Sequence, residues 1–188
     1  MGVPSRKFES RAVGGANVAI AKDLVPAQVS ALPYFISPTK GRLTLDEVYA
    51  DMVAFIDSNP EGRYKVIIGS DSQVRSETCF VTAIIVHQVG KGGRYYYRRQ
   101  VHRKIASLRQ RIFYETSLSL DAASRIAQML AENGHSELDV EIHLDIGSGG
   151  ATRDLIREIV GMVTGSGFDA KIKPESCGAT KVADKHTK

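Results

Sequence analysis

The chain has 188 residues and a formal net charge of +4, with 43% apolar, 24% charged and 7% aromatic residues. That length suits one domain with a sizeable core, and the composition excludes a disordered or fibrous chain. No run approaches the roughly 18 apolar residues that cross a bilayer, so a membrane-spanning protein is excluded too.

Residues 1–33 are rich in Ala, Val, Gly and Pro and show no sustained period. They are read as a poorly ordered extension, with the domain proper over 34–188. The opening MGVPSRKFESRAVGG has no apolar stretch behind its basic residues, so a secretory signal is not expected. A turn at Ser37-Pro38-Thr39-Lys40-Gly41 leads to a helix in which Thr44 and Glu47 have capping-box spacing. Leu45, Val48, Met52 and Phe55 form its apolar stripe, and Asn59-Pro60-Glu61-Gly62 ends it. Three strands are expected next, over residues 65–73, 78–89 and 94–104, with a hairpin turn at Lys91-Gly92-Gly93. Their short connections make them antiparallel. A long helix over about 108–132 follows, closed by Asn133-Gly134. The pattern then alternates: strand 140–146, helix 152–163, strand 169–172 and a last helix from Gly178. The expected fold is α/β, a mixed five-stranded sheet of three antiparallel strands and then parallel βα units, flanked by helices.

Three carboxylates stand where a core-forming pattern has no use for them. Asp71 follows the apolar run Val66-Ile67-Ile68 closely, where an unpaired carboxylate is costly unless it binds a cation. A turn aspartate bonded to its own backbone is the competing explanation. Glu115 and Ser119 interrupt the stripe formed by Leu108, Ile112, Ala122, Ile126 and Met129. A buried ion pair with Arg109 or Arg111 would also account for Glu115. Asp145 closes the fourth strand, at the carboxyl end where open α/β sheets gather their functional groups. Hard oxygen ligands of this kind suit Mg²⁺ or Mn²⁺. The five histidines make no metal spacing with Cys79 or Cys177, so zinc is not expected. Two cysteines without paired spacing fit a reduced, cytoplasmic setting.

Charge is unevenly distributed. Between Lys91 and Arg111 lie eight Lys or Arg residues and no acid, with Tyr95, Tyr96 and Tyr97 among them. Cations that neutralise phosphates beside rings that stack on bases suit a nucleic-acid surface, and Arg94, Arg98, Arg99, Arg103 and Lys104 are the candidates. A solvated strand face is the plainer alternative.

The stretches FISPTKGRLTLDEV, IIGSDSQ, SLRQRIFYETSLSL, HLDIG, EIVGMVTGSGF and KVADKHT resemble the YkuK-type family of the ribonuclease H-like superfamily, from about Phe35 to Thr187. In that superfamily, acids on the first strand, the first long helix and the fourth strand hold two divalent metals, and a fourth acid often sits on the last helix. The resemblance implies that Asp71, Glu115, Asp145 and Asp184 are catalytic metal ligands. The implied activity is hydrolysis of phosphodiester bonds in RNA, RNA–DNA hybrid or structured DNA, by two cations about 3.5–4 Å apart. Lys181 would then contact phosphate, with Lys185 and His186 beside it, and Ser70 and Ser72 would support Asp71 by hydrogen bonding. A catalytically inactive binding module of the same fold is the alternative, because fold alone does not establish chemistry. The glycine-rich turn from Asp145 to Thr152 also permits a nucleotide phosphotransferase, but there is no GxxxxGK[ST] motif and only one domain. Nothing in the sequence sets the oligomeric state.

Overall fold

A computed structural model of the protein describes residues 34–147, 150–176 and 178–187. The expected extension at 1–33 lies outside the described residues, as do Ser148 and Gly149 of the glycine-rich turn and Cys177. The described elements are β1 (Phe35–Ser37), β2 (Gly41–Leu43), α1 (Leu45–Asp57), β3 (Tyr64–Val74), β4 (Glu77–Gln88), β5 (Gly92–Arg103), α2 (Leu108–Glu132), β6 (Asp139–His143), α3 (Ile156–Gly165), β7 (Asp169–Lys171) and α4 (Gly178–Thr187). A short 3₁₀ turn, Gly150–Leu155, leads into α3, so the regular helix begins later than its apolar pattern suggests.

The strands form one sheet in the order β2-β1-β5-β4-β3-β6-β7. Among the described residues it has seven strands, not the five expected from the sequence. The additional pair, β1 and β2, brackets the Ser37–Gly41 turn, with Phe35 opposite Leu43 and Ile36 opposite Arg42. Three residues each are too few to show a period of two, which is why the sequence registers only the turn between them. A buried charge cluster holds this hairpin. Asp51 of α1 accepts hydrogen bonds from Tyr96 Oη (2.7 Å) and Arg94 Nη1 (2.6 Å), and Lys40 in the hairpin turn lies 2.6 Å from the same carboxylate.

The rest of the sheet follows the expected mixture. β3, β4 and β5 are antiparallel, while β6 runs parallel to β3 and β7 parallel to β6. Alternation along β3 assigns its two faces. Val66 and Ile68 pack with Met52, Ile112 and Ile126 under α1 and α2, and Ile159 and Val163 of α3 extend this larger core. Ile67 packs on the opposite face with Val81, Ala83, Ala179 and Ala183, beneath α4. Gly69 permits that close approach: a Cβ there would sit 2.7 Å from the His143 carbonyl and 2.8 Å from Ala179 Cβ.

Candidate functional site

The cleft originates where two parallel strands part. β3 and β6 pair only from Lys65↔Asp139 to Ile68↔Ile142, and β3 then continues beside β4 alone. Asp71 and Asp145 each lie three residues beyond the last pair, Ile68↔Ile142 (71 − 68 and 145 − 142). Both therefore stand just past the carboxyl end of the parallel pairing, the position that open α/β sheets use for ligands. β6 ends at His143, so Asp145 follows the strand rather than closing it, as the sequence suggested. Asp184, exposed on α4, completes an open cavity of about 240 Å³ lined by Asp71, Asp145, Lys173, Ser176, Lys181 and Asp184, among others.

Glu115 reaches the same region from the opposite face of the sheet. It is half-buried on α2, and Ser72 Oγ donates to its Oε1 at 2.5 Å. Arg109 is committed elsewhere, to Glu158 at 2.6 Å, and Arg111 Nη1 reaches Ser72 Oγ at 3.5 Å. Among the described residues Glu115 makes no ion pair, so the explanation that it neutralises an adjacent arginine is not what the geometry shows. Beneath it runs a buried chain of hydroxyls, in which Ser119 Oγ donates to Ser70 Oγ (3.0 Å), itself 2.9 Å from Thr82 Oγ1. Ser70 and Ser72 thus serve the α2 face, and Asp71 between them faces α4.

Burial and repulsion raise the carboxyls of Asp71 and Glu115. Desolvation, reinforced by the charges of Asp145 and Asp184, raises the Asp71 carboxyl to about 6, against the pull of the Ser72 amide and Lys173. Glu115 is pushed up to about 8, again chiefly by burial, with Asp71 and Asp145 adding repulsion and the Ser72 hydroxyl and the Arg111 charge opposing it. Lys173, which the sequence reading did not single out, lies with its ammonium 2.8 Å from Asp145 Oδ1. No local pattern marks it, because its position depends on the register of the last strand against β6.

The residues fit a hard divalent cation by their chemistry. The ligand atoms these acids offer are all oxygens, Asp71 and Glu115 have raised carboxyl values that a cation would lower, and Ser176 Oγ, buried in the cleft lining, has no hydrogen-bond partner among the described residues. Among the described residues, no three His, Cys, Asp or Glu side chains are already closed around a common point.

The basic run does not form one surface. Strand alternation turns Arg94 and Arg98 towards α1 and α2, where Arg94 pairs with Asp51 and lies over Phe55, and Arg98 lies over Phe35. Arg99 faces the α4 side, and its Nε donates to Cys79 Sγ at 2.9 Å. Arg103 and Lys104 are exposed at the end of β5 and just beyond it, and Lys181 is exposed beside the acids. The tyrosines are not an open stacking platform. Tyr96 is buried on Asp51, and Tyr97 is stacked on His186 at a centroid distance of 3.6 Å.

A sheet that splits beside three acids, with a fourth on the last helix packed across it, is a ribonuclease H-like arrangement. A family model described as Ribonuclease H-like matches residues 47–188. The chain is also 37% identical over 166 residues to a Bacillus subtilis (strain 168) protein named "Uncharacterized protein YkuK", an alignment covering 82% of this chain and 96% of that one. The chain therefore belongs to the YkuK-type family of the ribonuclease H-like superfamily. No solved structure matches it. No described helix is long and apolar enough to cross a membrane.

Proposed function

We propose that the protein is a metal-dependent nuclease that hydrolyses phosphodiester bonds of RNA, RNA–DNA hybrid or structured DNA. The observation that carries this reading is the convergence of Asp71, Asp145 and Asp184 on one cleft, with Glu115 close enough for the charges of Asp71 and Asp145 to raise its carboxyl. Asp71, Glu115, Asp145 and Asp184 would hold two Mg²⁺ or Mn²⁺ ions, which supply water activation and leaving-group stabilisation when bound. Ser72 orients the Glu115 carboxylate, and the hydroxyl chain through Ser119 and Ser70 fixes α2 against β3 so that this orientation is kept. Lys181 lies where it would meet a phosphate entering the cleft. Arg99, Arg103 and Lys104 would extend that contact along the sheet, whereas Arg94 and Arg98 act mainly in packing.

A second reading, a nucleic-acid-binding module without turnover, is favoured by the absence of a closed acid cluster among the described residues. The two are separated by incubating the purified chain with labelled single-stranded RNA, RNA–DNA hybrid and branched DNA in Mg²⁺, Mn²⁺ or EDTA. Cleavage that requires a divalent ion supports the nuclease. Retained binding without cleavage in any metal supports the module.

A further inference from the structure

We propose that Lys173 is a tethered cation that occupies Asp145, so that a divalent ion must displace it before that carboxylate can bind metal. This rests on the metal-site reading above. It begins from main-chain geometry. Beyond the last β6–β7 pair, His143↔Lys171, the two segments stay side by side: Leu144 N–H donates to the Lys171 carbonyl (2.9 Å), and Lys173 N–H donates to the Ile146 carbonyl (2.9 Å). That register sets the root of Lys173 directly beside Asp145. Gly147 leaves room for its stem, since a Cβ there would come within 3.2 Å of Lys173 Cβ. The ammonium then reaches Asp145 Oδ1 at 2.8 Å, and its charge also acts on Asp71.

An ion pair with side chains 57% and 34% exposed adds little to stability. Its consequence is electrostatic. An incoming divalent ion meets one free carboxylate fewer and a positive charge within the cleft.

Equilibrium Mn²⁺ binding, followed by the electron paramagnetic resonance of the free ion, tests this on the intact chain. The measurement is made above both raised carboxyl values, with the unfolding midpoint of each variant confirming its fold. Lys173→Met is expected to bind Mn²⁺ roughly tenfold more tightly than the parent, as removal of one unit charge near a divalent site should produce. Lys173→Arg, which keeps the charge, is expected to stay close to the parent. A Lys173→Met protein with the parent's affinity would overturn the role of Lys173 while leaving the metal site standing. No Mn²⁺ binding by either the parent or Lys173→Met would overturn both. Tight binding by Lys173→Met alone would support the displacement directly.

Discussion

Glu115 is the residue whose environment makes the strongest demand on the fold. Its carboxyl is held at about 8, against an ordinary value of 4.5, mainly by burial. Within that window the folded chain keeps a proton that the unfolded chain has released, so the unfolded state binds fewer protons and stability falls as pH rises. The stabilising contribution of the neutral acid is complete below 4.5 and is lost as pH rises through about 8. Glu115→Gln is neutral at every pH. Without divalent ions, it is expected to match the parent in acid and to be about 2 kcal/mol more stable above the window. Urea unfolding at two pH values in EDTA measures this, and equal stabilities at high pH would contradict it. Glu115 was legible in the sequence because an acid interrupting an apolar helical stripe is a conflict that can be seen locally. Its partner was less so: the obvious candidates were Arg109 and Arg111, but the hydrogen bond comes from Ser72, 43 residues away in sequence.

Among the described helices, α4 packs most heavily against strands far from it in sequence. It covers the face of β3 and β4 opposite α2, and its approach runs through Gly69, where β3 touches both Ala179 and the His143 carbonyl. Gly178 N–H donates to His143 Nδ1 (3.3 Å), tying the start of the helix to the end of β6. A methyl group at Gly69 has no room unless α4 or β6 shifts. Gly69→Ala is expected to cost about 1–3 kcal/mol and to weaken metal binding together with stability, because Asp184 rides on the displaced helix. Chemical denaturation and Mn²⁺ titration of this one variant check both effects, and a loss of neither would contradict the proposed docking. The long elements were legible: α2 spans Leu108–Glu132 as its stripe and its Asn133-Gly134 stop predicted, and the Thr44–Glu47 capping box forms. The β1–β2 hairpin was not, because its strands are three residues long and are anchored by Asp51, whose partners lie on other elements. Asp145 was assigned to a strand because 140–146 alternates, although pairing with β7 ends at His143.

Over the whole molecule, the net charge of +4 matters less than which cations are already engaged. Arg94 closes the Asp51 cluster, and Arg98 lies over Phe35, whereas Lys181 and Arg103 are exposed. The sequence displayed the basic run as one feature, but alternation in β5 divides it between two faces, and sheet order decides which face meets the cleft. Lys181→Ala and Arg103→Ala are each expected to weaken nucleic-acid binding evenly across sequences. Each should also reduce the slope of log affinity against log salt by about 1. Arg94→Ala is expected to lower the unfolding midpoint with little change in that slope. Fluorescence anisotropy over a salt series, beside thermal unfolding, distinguishes the two groups, and an Arg94→Ala slope change equal to that of Lys181→Ala would contradict the division.

On the nuclease proposal, Asp71, at the parting of β3 and β6, organises the hydrolytic site. The most direct test is the single-turnover cleavage rate of Asp71→Asn relative to the parent, on one nucleic-acid substrate in Mg²⁺ or Mn²⁺. Binding of the same substrate is measured in EDTA to confirm an intact surface. The expected result is unchanged or slightly tighter binding with a loss of about 100-fold or more in rate. A folded Asp71→Asn protein that cleaves at the parental rate would rule out that role for Asp71.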